Sequence, residues 1–302
     1  MKANSGMEKL LAKEEFLVIA SIGIPRGADL KPLEEGYKLL ENKVDAFYIP
    51  DNPGANVHLL GLAAAVHLQK LGGETVLELN CRDRNRIAMQ SYILGAAALG
   101  VTNLLCSTGD HQTLGNFRGT KRVYDMDMVQ AIQVLKGMRD EKKFSNGEEV
   151  PQPPSIFIGA EVNPFADPFE FRATLMAKKV EAGANFVQTR GVFDLERFGQ
   201  WMELLRQQEL HQKVPILAGI IPLVSVEQAK DLQQAPGMML PDSIIERLES
   251  SDKPEEEGIK IAGEIIAQVK KIEGVRGVVL HADGVERLVP NLIKQGGLSS
   301  KA

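Results

Sequence analysis

The chain has 302 residues, 44% of them hydrophobic and 25% charged, enough to bury the core of one large α/β domain or two small ones. Its formal charge of −5, with basic and acidic residues interspersed and no basic stripe, argues against nucleic acid as a partner. Two cysteines without Cys-x-x-Cys spacing or histidine clustering suggest neither a disulfide framework nor a zinc site, and no run approaches the roughly 18 apolar residues of a membrane span.

The N-terminal "MKANSGMEKLLAKEEF" lacks an apolar signal region, so the expectation is a cytoplasmic protein with reduced thiols. From there, short β-branched runs alternate with helix-length segments. The expected strands are 16–22, 44–49, 75–80, 101–107, 155–162, 185–189, 214–221 and 275–281. The helical period is clearest after strand five, where Phe169, Ala173, Met176 and Val180 form one stripe and Gly183 follows as the C-cap. Two segments interrupt the beat: a long loop at 111–125 and an acidic joint at 250–258, between two extra helices after strand seven. Eight βα units predict a (β/α)8 TIM barrel forming a single domain over 1–302, with 1–13 an N-terminal extension and 297–302 a C-terminal tail. A doubly wound sheet is the alternative, weakened because no G-x-G-x-x-G follows an early strand.

A barrel of this kind builds its site from the C-terminal ends of its strands, and those ends are unusually polar here. The densest is "NCRDRNR", residues 80–86, directly after "ETVLEL". Others are Ser21, Asp51, Ser107 to His111, Glu161, Thr189 with Arg190, and His281 with Asp283.

The segment "CRDRNRIAMQSYILGAAALGVTNLLCSTGDH" resembles the flavin-binding core of the methylenetetrahydrofolate reductase family. Further matches, "ASIGIPRG", "KRVYDMD", "GAEVNP", "KKVEAGANFVQT" and "ILAGIIPLVSVEQAK", keep the family's order over nearly the whole chain. The resemblance implies FAD across the barrel mouth, with FMN the alternative, and hydride transfer from reduced flavin to 5,10-methylenetetrahydrofolate. It assigns the cofactor to Asn80, Arg82, Asp83, Arg84, Asn85, Ser107, Thr108, Gly109, Asp110, His111 and Glu161, with Tyr124 and Asp125 from the loop before the next helix and Lys178 and Lys179 from the helix after strand five. Cations and N–H groups at a helix start suit a pyrophosphate. The same arginine run also reads as a salt-bridged helix start, with Asp83 bonding Arg82 or Arg84. Asp110 would stand beside the isoalloxazine and tune it, or else cap a turn.

Three positions depart from the family. Ser21 stands where it carries a strand-one Glu that protonates the folate, and a hydroxyl cannot supply a proton at neutral pH. Arg190 stands where it carries a pterin-binding Gln; Arg190 suits a carboxylate or phosphate, or an ion pair with Glu161 or Asp194. Glu78 stands where the family often has His, and if burial raises its pKa it becomes the relocated acid. The expected function is therefore a reductase of this type acting on a folate-type substrate through Asp110 and Glu78, with Ser21 and Arg190 at the substrate. The alternatives are a flavin-carrying paralogue serving as an electron-transfer or structural subunit, or an enzyme for another substrate. An electron-donor partner subunit is compatible with the short form, as a homo-oligomer or hetero-complex.

Overall fold

A computed structural model describes residues 1–298. Eight parallel strands close on themselves in chain order: β1 (Leu17–Ser21), β2 (Ala46–Ile49), β3 (Thr75–Asn80), β4 (Asn103–Ser107), β5 (Phe157–Val162), β6 (Phe186–Gly191), β7 (Ile216–Ile220) and β8 (Val275–Leu280). The helices are α1 (Gly6–Ala12), α2 (Lys31–Leu40), α3 (Gly61–Lys70), α4 (Arg86–Ala98), α5 (Met128–Lys136), α6 (Phe171–Ala182), α7 (Leu195–Gln207), α8 (Leu210–Lys213), α9 (Val226–Gln234), α10 (Asp242–Glu249), α11 (Pro254–Val269) and α12 (Val289–Gln295). The expected barrel is present, and each strand overlaps its expected segment. β6 runs on through Gly191, because its pairing with β7 shifts between Gln188 and Gly191.

Local chemistry sets the helix starts that frame the mouth. Asn85 caps α4 by accepting from the backbone N–H groups of Ile87 and Ala88, and Asp127 with Gln130 forms a capping box on α5. Asp194 caps α7 and Ser225 caps α9. On α6, Ala173 and Met176 are buried against the sheet, as the stripe predicted.

Alternation along each strand separates two cores. Outward residues pack against the helices. Inward residues fill the barrel in layers, with Leu17, Ile19, Val76, Leu105, Phe157, Phe186, Leu217 and Val279 in one cluster. Gly159 leaves room there for the Phe186 ring, stacked on Phe157 with centroids 5.3 Å apart.

Residues 1–13 do more than extend the chain: Met7 of α1 is fully buried in that inner cluster, closing the end opposite the mouth. Glu8 ties the segment down by accepting from the backbone N–H groups of Lys2, Ala3 and Asn4. At the other end Leu298 is buried, while residues 299–302 of the expected tail lie outside the described residues. Among the described residues no helix is long and apolar enough to cross a membrane.

Candidate functional site at the barrel mouth

The parity that fills the barrel also composes its mouth. Continuing the inward series by two residues from Val76, Leu105, Phe186 and Val279 reaches Glu78, Ser107, Gln188 and His281, and the next step on β6 reaches Arg190. These side chains, with Tyr48, Asp110, Glu161 and Asp283, surround a cavity of about 460 Å³, except Ser107, which is buried against Glu78. The pairing of β6 with β7 is irregular beside Arg190, and there Thr189 Oγ1 accepts the backbone N–H of Gly219 (3.0 Å).

Glu78 lies at the cavity floor with little solvent contact. Its Oε1 accepts from Ser107 Oγ (2.5 Å), and its Oε2 accepts from Tyr48 Oη (2.8 Å) and the backbone N–H of Asp51 (3.0 Å). Burial, reinforced by the Asp51 and Glu161 charges and opposed by the Ser107 bond, pushes its pKa up to about 7. Burial and the Glu78 charge push Tyr48 far above its ordinary value, so it remains a donor. His281, edge-on to Tyr48 with centroids 5.7 Å apart, has its pKa lowered by burial despite the nearby Asp283 charge, which favours the neutral ring.

The arginine-rich turn after β3 is tied into the protein. Arg82 donates twice to Asp83 (2.8 and 2.7 Å) and also to the carbonyls of Asp110 (2.9 Å) and Asn52 (3.3 Å). Arg84 clamps the buried Asp51 carboxylate (2.5 and 3.2 Å) and stacks over Tyr92. Asn80 is fully buried, donating to the Asp51 carbonyl and accepting from the Asp83 N–H. Asn85 is the helix cap already described. This turn thus stands behind the wall of the mouth, bracing the Asp51 and Asp110 segments, and the Arg82 and Arg84 donors point into the protein. Gly109, at φ +79°, crosses that wall where a Cβ would meet the Asn80 Cβ at 3.0 Å.

A neighbouring cavity of about 540 Å³ shares Glu161 and Arg190 with the first and adds Thr108, Arg172 and Lys179. Lys179 donates to the Glu161 carbonyl (2.5 Å), and burial, opposed by the Glu161 charge, lowers its pKa to about 8. Lys178 goes elsewhere: it is exposed on α6, over the Phe171 ring. Arg190 bonds Glu161 (3.1 Å) and approaches Asp110 (3.7 Å), while Asp194 is occupied as a helix cap. Asp110 also accepts the Gly54 N–H (3.0 Å). In the 111–125 loop, His111 meets Thr113 and Arg122, Tyr124 donates weakly to the Gly109 carbonyl (3.5 Å), and Asp125 pairs with Arg86 (2.9 Å). These loop residues hold the loop against the β3 turn and line neither cavity.

Ser21, expected at the substrate, is fully buried; its hydroxyl accepts the Ala282 N–H and donates to Asp283 Oδ2, both at 2.8 Å. Tyr48 and Gln188 were not anticipated, although counting inward positions along β2 and β6 would have found them.

The residues fit a flavin nucleotide in part. Lys179, Arg172 and Thr108 make a donor set for an anion beside a polar, enclosed mouth, and Gly109 lets a backbone pass close to that mouth. The fold and site define an α/β barrel with a carboxylate-rich mouth joined to a cationic annex. A family model for methylenetetrahydrofolate reductase matches residues 31–297, and the chain belongs to that family. It is 26% identical over 235 residues to "Methylenetetrahydrofolate reductase 2" of Schizosaccharomyces pombe, covering 74% of this chain and 36% of that protein. It is 27% identical over 190 residues to "Probable methylenetetrahydrofolate reductase (NADPH)" of Caenorhabditis elegans, covering 62% of this chain and 26% of that one. The chain thus spans about a third or less of the length of these relatives. Among solved structures, an uncharacterized protein from Clostridium thermocellum that binds two copies of 5-methyl-5,6,7,8-tetrahydrofolic acid shares the fold (TM-score 0.67, 10% identity, 96% of each chain).

Proposed function

We propose that this protein is a flavin-dependent methylenetetrahydrofolate reductase in which Glu78 replaces the family's strand-one acid. Family membership supports the substrate class, and the folate-binding fold neighbour agrees with it. The single observation that carries the reading is the Glu78 carboxyl enclosed on the floor of the mouth by Ser107, Tyr48 and the Asp51 N–H, where burial pushes its pKa up to about 7.

A carbon bonded to two nitrogens accepts hydride only after one C–N bond opens. A proton goes to the leaving nitrogen, which keeps the bonding pair, and the other nitrogen's lone pair makes an iminium with the methylene carbon. Reduced flavin, FAD by the family resemblance, supplies the hydride that turns that carbon into a methyl group. Lys179, Arg172 and Thr108 hold the anionic part of the cofactor. Glu78 holds the proton, with Ser107 and Tyr48 fixing the orientation of its carboxyl group. Asp110 and Glu161 share Arg190 at the rim. We place the protein in a reducing compartment, the cytoplasm, because both cysteines are free and buried. Electrons reach the flavin from a nicotinamide or from a partner subunit.

The test loads the protein with flavin, reduces it without oxygen and adds methylenetetrahydrofolate. Reoxidation with formation of 5-methyltetrahydrofolate is the expected result, slowed about 10²–10⁴-fold by Glu78→Gln. Protein that takes up neither FAD nor FMN refutes the cofactor. Flavin that stays reduced refutes the acceptor and leaves the electron-transfer subunit as the reading.

A further inference from the structure

Four acids around the mouth pair with a guanidinium, and two, Glu78 and Asp283, do not. Asp51 is clamped by Arg84, Asp83 by Arg82, and Glu161 and Asp110 share Arg190. Glu78, which has no cation, lies buried among hydroxyl and N–H donors. Asp283 faces solvent on the cavity wall, and among the described residues no lysine, arginine or histidine forms an ion pair with it.

Asp283 is also held in place. β1 and β8 pair in parallel, with Ala20 opposite Leu280, so the end of β1 lies beside the segment carrying Asp283. Ser21 Oγ takes the Ala282 N–H, which leaves its own hydrogen to point at Asp283 Oδ2. The wall built by β1 and β8 contributes Asp283 and His281 to the cavity and no permanent cation; Arg190 reaches in from β6. An aspartate fixed by a fully buried serine, exposed on the cavity wall and in no ion pair among the described residues, is a negative charge available to a ligand.

We propose that Asp283, positioned by Ser21, is the counter-charge for a cationic centre on the substrate, the iminium formed when the methylene bridge opens. This rests on the folate reading given above and adds a division of labour between two acids. Glu78, enclosed, carries the proton; Asp283, open and hydrogen-bonded by a hydroxyl, carries the charge. The substitution of serine at the end of β1 then has a structural purpose, since a longer side chain there would displace the Asp283 carboxylate.

The test compares wild type with Asp283→Asn, Ser21→Ala and the double variant, using flavin affinity and melting temperature to confirm folding. Asp283→Asn is expected to lower kcat about 10²-fold, the scale of a preorganised electrostatic group, with KM changed less than about threefold. Ser21→Ala is expected to cost about 5–10-fold, and the double variant about as much as Asp283→Asn alone, since Ser21 acts through Asp283. A second readout needs no flavin: calorimetric binding of a quaternary ammonium pterin and of its neutral parent. Asp283→Asn is expected to weaken the cation about tenfold or more and the neutral compound less than about twofold. If wild type turns over folate and Asp283→Asn matches it, or if both pterins weaken equally, the inference is overturned while the folate reading stands. If wild type never turns over folate yet shows the Asp283-dependent cation preference, the hydride-acceptor reading fails and the cation site remains.

Discussion

Replacing Glu78 by Gln tests the physical basis of the proposed acid without relying on catalysis. Burial raises this carboxyl from 4.5 to about 7, so between those values the folded protein holds a proton that the unfolded chain has released. The unfolded state therefore binds fewer protons across this window, and wild-type stability falls as pH rises from about 4.5 to about 7, then levels off. At about 1.4 kcal/mol per pH unit the full loss is at most about 3.5 kcal/mol. Glutamine has no proton to release and removes that slope. It also surrenders one acceptor among Ser107, Tyr48 and the Asp51 N–H, a cost of about 1 kcal/mol at every pH. Urea unfolding at pH 5 should find Glu78→Gln slightly less stable than wild type. At pH 8 it should be more stable, by about 2 kcal/mol. A stability difference that stays constant between pH 5 and pH 8 would show that Glu78 titrates normally, and the relocated-acid argument would fail with it.

Two neighbouring lysines on α6 should behave differently. Lys179→Met should weaken flavin binding at pH 7 about tenfold or more, and wild-type affinity should fall as pH passes about 8, where the buried amine loses its charge. Exposed Lys178→Ala should change that affinity less than about twofold, and equal effects in a flavin titration would contradict the annex. At the opposite end of the barrel, Met7→Ala should cost about 2–5 kcal/mol in urea unfolding, because a fully buried side chain leaves a cavity in the inner core. A change under about 0.5 kcal/mol would mean that α1 does not close the barrel.

Much of this architecture was legible in the chain. β-branched runs such as 75–80 and 275–281 alternate with helical stripes like that of Ala173 and Met176, because a parallel strand buried on both faces admits little else. The polar strand ends were equally plain, and the (β/α)8 order placed them around one mouth.

The roles of those residues were not legible, because partners far apart in sequence decide them. Asp83 bonding its neighbour Arg82 is a local possibility that a sequence offers, but Arg84 reaching back to Asp51 is not. The same holds for Ser21, which meets Asp283 only because barrel closure brings the last strand beside the first. Glu78 shows the division most clearly. Its place at a strand end follows from spacing, whereas its pKa depends on burial among Tyr48, Ser107 and Asp51, contributed by separate strands and loops. Sequence alone determined the period, the topology and the inventory of polar groups. Tertiary structure decided which charges cancel, because Coulomb energy and desolvation depend on distances that only the closed barrel sets.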